Sequence, residues 1–519
     1  MTRFAQRAAG VPAAAEVVAA RLLLPAMCLS AALVAGLLAG RLGAGSKPVL
    51  ALLLPLLLVP VLLWHCPRAG LLILLAATIT IEEFGYAVGP RAGAVTASIP
   101  FFHSVSAGSG VTPAEIFMAL LVVIWVLKTV QSGERLLPRT TLAAQIALLC
   151  GVTLMYLGIG LSRHGLFKMA LWEVRPFFYL GVTYLLASSL LTTAKAVRTM
   201  LWIVVIGSGI KAAYGIVIWL SIRHVQPRPE AVLAHEESFF FGLFAVLTLG
   251  LWIFHIQGRL RVVATILLPV VLLADMVNSR RTAWAILALA SIVMLVIGYV
   301  RRPDRRKLMR RIALVLLVVN AGYLPAFWSK DGTLAQPARA IRSVVAPDAR
   351  DEQSNQYRVV EDANLMLNIQ AKHSTGKGFG LPIDYIIGIV DLRAGNSAIA
   401  YIPHNGVLYV WMRMGILGEI LLWLMIMHAI IAACRLTRHP DSETVLFGAL
   451  VACAGVAYVI MGDKDLGFTW FRLAFCMGAL LGAVEARTRV WMAQSRTAET
   501  PAPPVDQRAR PALLVGSAR

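Results

Sequence analysis

The sequence predicts an all-α, polytopic membrane protein, and three observations predict it. The chain has 519 residues, 58% of them hydrophobic and only 14% charged, with a mean hydropathy of +0.74. A soluble domain carries roughly 25% charged residues. Apolar runs of about 17 to 25 residues recur along the chain, the length that crosses a hydrocarbon core of about 30 Å. The Lys and Arg residues fall in short clusters between those runs, as topology signals do. The net charge of +21 therefore reads as membrane orientation and argues against nucleic acid as a partner.

Apolar length and flanking charge give about fourteen spans. They cover 22–40, 48–65, 69–82, 114–131, 141–161, 169–191, 199–221, 238–257, 262–277, 282–300, 312–328, 405–434, 445–461 and 467–486. The first follows Arg3, Arg7 and Arg21 and resembles a signal peptide, but its length and the span directly after it favour an uncleaved helix. The third is short enough to be partly re-entrant. The six cysteines lie within or beside apolar runs with no metal-ligand spacing, so buried thiols are expected.

The strongest basic cluster, "RRPDRRKLMRR" at 301–311, should be cytoplasmic. Alternating outward from it puts "RLTRHPDSET", "GRLR", "TTAKAVR", "GERLLPR" and both termini on the same side, and all of these segments carry Lys or Arg. The opposite side receives the polar stretches 83–113, 222–237 and 329–404. The chain divides into an amino-terminal helical bundle (1–328), a large extracytoplasmic loop with helical segments (329–404), carboxy-terminal spans (405–486) and a Pro-rich tail (487–519) expected to be disordered.

Some residues break the apolar pattern. Arg280 and Arg281 sit in a very short outer turn, the wrong side for basic residues. They either snorkel to the interface or offer guanidinium forks to an anion. Glu173 and Arg175, near the outer end of a span, are two apart and do not face each other on a helix; each needs a bundle partner or a ligand. Arg223, Arg228, His235, Glu236 and Glu237 form a mixed-charge outer group that solvation explains, with a spacing that does not put three metal ligands on one face. Asp463, Lys464 and Asp465 read as a local salt-bridge group.

Within the large loop, 357–369 has helical periodicity, with Val359, Val360, Leu365, Met366 and Ile369 on or near one face and Arg358 near its start. Gly376-Lys377-Gly378-Phe379-Gly380 lets backbone approach something closely. It lacks the ending and strand-to-helix context of a nucleotide-binding loop. His404 closes the loop where the next helix enters the membrane. A histidine there can cap the helix or, as a neutral imidazole with a pKa near about 6.5, accept a proton, with Asn405 able to orient its ring.

His404-Asn405, nine residues and then Gly415-x-x-Gly418 resemble the loop-to-helix signature of the superfamily of O-antigen ligases and O-antigen and exopolysaccharide polymerases. "SRRTAW" at 279–284 is similar to its Ser-Arg-small motif. Tyr357-Arg358 and "GKGFG" resemble elements of its large periplasmic loop. The resemblance spans about residues 270 to 486. The doubled arginine departs from the single arginine of the family. The family's basic residue in an earlier loop has Arg228, Arg223 and Arg175 as possible counterparts.

The resemblance implies a membrane-embedded GT-C type glycosyltransferase in the bacterial inner membrane with a periplasmic active site. Its donor would be a glycan on polyprenyl (undecaprenyl) diphosphate. Its acceptor would be a sugar hydroxyl, on a growing glycan in a polymerase or on lipid A–core in a ligase. The reaction would invert the anomeric centre without metal or cofactor. The catalytic candidates are His404, Arg280 and Arg281, and the substrate-binding candidates are Arg358, Arg228, Arg175, Asn405 and Lys377. The alternative is a transporter or flippase of lipid-linked glycan. Transporters build sites at the membrane midplane from repeated halves, and no internal repeat stands out here.

Overall fold

The computed structural model describes residues 59–82, 111–133, 138–224, 231–388 and 400–499, with 99, 101–102 and 136 between them. The described residues are helical and contain no strand. Twelve expected spans, from 69–82 onward, each coincide with one helix. The expected span 22–40, most of 48–65 and most of the expected outer stretch 83–113 lie outside the described residues.

A short helix α1 (Val59–His65) meets α2 (Pro67–Thr80) at 117°. Pro67 supplies the break, because it has no N–H to continue the preceding helix; such a bend makes the pair a broken span or a re-entrant loop. Then follow α3 (Pro113–Gln131), α4 (Thr141–Ser162), α5 (Phe167–Leu190), α6 (Ala194–Ile222), α7 (Glu237–Ile253), α8 (Arg259–Asn278), α9 (Arg281–Arg301) and α10 (Arg306–Phe327). The large loop contributes α11 (Gln336–Val345) and α12 (Ala349–Ala371), and the chain returns as α13 (Gly406–Leu436), α14 (Ser442–Lys464) and α15 (Phe471–Glu499). Among the described residues, eight helices are long and apolar enough to cross a membrane, or nine if the bent α1–α2 pair is one span. The protein is thus an all-α chain of several membrane-spanning helices.

Caps explain where helices begin. Thr112 and Glu115 form a reciprocal box at α3, Glu115 N–H donating to Thr112 Oγ1 at 3.2 Å and Thr112 N–H to Glu115 Oε2 at 2.6 Å. Thr140, Thr193 and Asp441 cap α4, α6 and α14. Helix α15 continues as far as Glu499, so 487–499, expected to be disordered, are helical, and 500–519 lie outside the described residues. The Arg487 side chain donates to Thr192 O at 3.1 Å and ties that continuation to the bundle.

Helices α7 and α14 are buried at almost every turn, whereas only 6% of the apolar window of α10 is covered. A row of six residues on α10, Leu314 to Val319, is exposed, as expected of a helix whose solvent is lipid. The α5–α15 seam depends on Gly478 and Gly482, four residues apart. A Cβ on either would overlap α5 backbone at Leu180 or Tyr184, the close approach that small residues allow in membranes.

The turns sort to two ends. At one end, Arg302 donates to Phe254 O at 3.0 Å, Arg301 Nε to Thr437 Oγ1 at 3.0 Å, and Arg198 pairs with Glu443 at 3.6 Å. The segments expected to be cytoplasmic therefore meet one another. At the other end, residues from 235, 279–282, 332–360, 404 and 465 surround one cavity. We expect an impermeant maleimide to label Val344→Cys, and not Arg305→Cys, in intact spheroplasts of a Cys-free background. The reverse pattern would invert the orientation.

Candidate functional site

The α8–α9 turn is two residues long. Ser279 takes a left-handed conformation (φ 55°) and Arg280 an extended one before α9 starts at Arg281. This sharp reversal puts both arginines in the cavity wall. Arg281 donates to Asn355 Oδ1 at 2.8 Å and to Ser354 Oγ at 3.2 Å, which links the turn to the start of α12.

Helix α12 starts at an Asp348 cap, whose carboxylate accepts from Asp351 N–H at 2.8 Å. Its first turns carry Arg350, Tyr357 and Arg358 to the cavity. One turn on, Glu361 is fully buried and accepts from His404 twice, from the backbone N–H at 2.9 Å and from Nδ1 at 3.1 Å. The Tyr357 ring stands edge-on to the imidazole, with centroids 5.7 Å apart. The Glu361 carboxylate makes Nδ1 the protonated nitrogen, so Nε2 is left as the proton acceptor. Burial works against charge on His404, but the hydrogen bonds and negative charge of Glu361 outweigh it and raise the imidazole above its ordinary value.

The far half of α12 anchors the loop. Asn364 bonds both backbone groups of Ile387, accepting at 2.8 Å and donating at 3.0 Å. Asn368 does the same to Asp384, at 3.1 and 2.8 Å. The buried face of α12 is therefore Glu361, Asn364, Leu365, Asn368 and Ile369. Val359, expected on the apolar face, is 68% exposed, because the helix turns amides rather than a continuous apolar stripe inward.

A second histidine–carboxylate pair faces the same space. His235 Nδ1 lies 2.5 Å from Asp465 Oδ2. The cavity encloses about 770 Å³ and, among the described residues, is lined by five arginines (280, 281, 339, 350 and 358), His235, His404 and two acids, Asp351 and Asp465. A wall of this charge attracts an anion. Its other lining residues are mainly Ser, Thr, Gln and Gly, which suits hydroxyl and phosphate groups better than hydrocarbon.

Four candidates thus come together here: His404, Arg280, Arg281 and Arg358. Arg175 instead pairs with Glu115 at 3.1 Å inside the bundle. Asn405 caps α13, its Oδ1 accepting from Val407 and Leu408 N–H at 3.1 and 3.0 Å. Lys377 pairs with Asp384 at 2.6 Å and lies outside the cavity lining. Arg228 lies outside the described residues.

The "GKGFG" element makes its close approach to the protein itself. Lys377 and Gly378 N–H donate to Met412 O and Arg413 O at 2.7 and 3.0 Å. All three glycines have positive φ, and Gly415 (φ 58°) unwinds α13 where the loop enters. Beneath it, Arg413 and Glu173 form a fully buried pair at 2.6 Å, and Gly380 N–H donates to the other Glu173 oxygen at 2.5 Å. Glu173 is therefore a structural anchor for this plug.

Solvation, expected for Glu236 and Glu237, is overturned. Both are buried, and Glu237 pairs with Arg472 at 2.7 Å and Lys211 at 3.8 Å. Asp463 and Lys464 do pair locally at 2.7 Å, but Asp465 turns away to His235. Glu361 was legible as the residue one helical turn beyond Arg358. The His235–Asp465 pair joins residues 230 apart and had no local signal.

Neither a protein-family model nor a curated protein matches this sequence.

If Glu361 positions and charges His404, the rate of any reaction using its neutral form should rise with pH through an elevated midpoint. Replacing Glu361 by Gln should move that midpoint down, since the negative charge that stabilises imidazolium is gone. A pH–rate profile checks this, and an unmoved midpoint would detach Glu361 from the titration.

Proposed function

We propose that the protein is an inverting glycosyltransferase that moves a glycan from polyprenyl diphosphate to an acceptor sugar hydroxyl. The reading rests on one observation above all: a histidine oriented by a buried carboxylate shares a polar cavity with five arginines. The acceptor hydroxyl loses its proton to His404 Nε2 as its oxygen bonds to the anomeric carbon. The bond from that carbon to the phosphate oxygen breaks, and the electron pair leaves with the prenyl diphosphate. Arg280, Arg281 and Arg358 offset the charge that gathers on the leaving group. On this reading the protein is a GT-C type enzyme of about fourteen spans in a bacterial inner membrane, with the cavity periplasmic. It acts as a polysaccharide polymerase or an O-antigen ligase.

Transport of lipid-linked glycan is less well supported. A carrier exposes unwound helix segments to a central site, whereas the unwound turn at Gly415 is filled by the chain's own Ser374–Gly376 backbone.

The test is incubation of purified protein with polyprenyl-diphosphate oligosaccharide, read as longer lipid-linked glycan. Because guanidinium groups serve the leaving group, product should form in excess EDTA. Arg280→Ala and Arg281→Ala should weaken donor binding and rate together, at least one of them severely, while Arg305→Ala at the other end stays near wild type. Equal mild effects at all three would return the paired arginines to snorkelling.

A further inference from the structure

His235 stands in the same wall as Arg280 and is held there from two sides. Asp465 is 2% exposed, and its two oxygens are both engaged, Oδ2 by His235 Nδ1 at 2.5 Å and Oδ1 by Leu466 N–H at 3.0 Å. The Trp470 ring flanks the imidazole with centroids 5.9 Å apart. The chain leading into His235 is clamped by Asn278, which accepts from Leu233 N–H at 2.8 Å and donates to Ala234 O at 3.3 Å. Asn278 is the last residue of α8, two positions before Arg280. One buried amide therefore fixes the spacing between the histidine and the arginine turn.

We propose that His235 is a phosphate ligand of the donor, protonated as the diphosphate binds and donating from Nε2, the ring edge opposite Asp465. This rests on the proposed transferase reading and adds a division of labour within it: His404 serves the acceptor and His235 the leaving group. The chemistry favours that split. A carboxylate on Nδ1 supports imidazolium, and an anion on the other edge supports it further. The charged and titratable groups around His235 are Asp465 at the end of α14, Arg280 at the head of α9, Arg358 on α12 and His404 ahead of α13. Without ligand, burial first and then the charges of Arg280 and His404 hold His235 below its ordinary value, against the pull of Asp465. An incoming diphosphate reverses that balance, so binding takes up a proton.

The experiment measures binding of a short-chain prenyl diphosphate-linked sugar to the full-length purified protein by calorimetry between about pH 5.5 and 8, the range in which imidazole titrates. Both phosphates of this probe are esterified, so the probe itself does not titrate there. Wild-type affinity should fall as pH rises, by up to about tenfold per pH unit for one linked proton. His235→Gln should bind more weakly and with little pH dependence. His404→Gln should keep a fall in affinity with pH, moved to higher pH because one of the positive charges that hold His235 down is gone. Asp465→Asn should move the fall to lower pH, since the charge supporting imidazolium is lost. Binding heats of wild type and His404→Gln in two buffers of different ionisation enthalpy report proton uptake directly and do not depend on His235→Gln folding. Uptake of about one proton in both supports the assignment. No uptake, or a wild-type slope in His235→Gln, overturns it and leaves the transferase standing. Failure of wild type to bind the probe at all overturns both.

Discussion

Replacing His404 by Ala should cut glycosyl transfer by about 10²- to 10⁴-fold, the usual contribution of a positioned general base. Protein level and donor binding should stay close to wild type, because the proposed mechanism puts the imidazole on the acceptor side. The loss should fall on turnover measured with saturating donor. The geometry motivates the size of the effect. Glu361 takes both the backbone N–H and the ring Nδ1 of His404, so the ring is fixed in one tautomer with Nε2 as acceptor. A carboxamide at Glu361 should cost less than loss of the imidazole, since it still orients the ring. Full activity in His404→Ala would reduce this residue to a helix entry and remove the base from the proposed mechanism.

The second large effect concerns folding. Glu173→Ala should destabilise the protein by about 3–5 kcal/mol, the cost of removing one partner of a buried pair. Arg413 would be left fully buried, with carbonyl oxygens of Gly378 and Tyr401 as its remaining partners, and Gly380 N–H would lose its acceptor. Because the same carboxylate holds the plug at the Gly415 kink, the large loop should loosen with it. A thermal melt in detergent and protease susceptibility of 372–388 report the two consequences. The double variant Glu173→Ala/Arg413→Met should recover part of the loss, because no unpaired charge then remains. A single variant that melts like wild type would show that the pair contributes little.

Arg175 and Glu173 show where local reasoning stops. Both were legible as buried charges needing partners, but the partners, Glu115 and Arg413, lie 60 and 240 residues away in the chain. Lys377 is a binding candidate through the resemblance of the glycine-rich element that contains it. Those glycines are needed for helix-to-loop packing at Gly160 and Gly415 instead, and their positive φ says nothing about what they approach. The mixed group at 235–237 looked solvated because consecutive charged residues usually are. In the fold His235 lines the cavity while Glu236 and Glu237 are buried.

Apolar run length and the placement of basic residues were enough to place twelve apolar helices among the described residues, their order and which of their turns share an end. Those properties are set within about 20 residues by hydrocarbon thickness and by flanking charge. His404, Arg280 and Arg281 also stood out as polar groups where an apolar chain tolerates few, whereas Arg358, in a polar loop, stood out through the resemblance of that loop. Only the tertiary structure decided which charges meet: His404 with Glu361, His235 with Asp465, and Arg413 with Glu173. Ion pairing depends on distance in space and on burial, and neither is written in the spacing of residues along a chain.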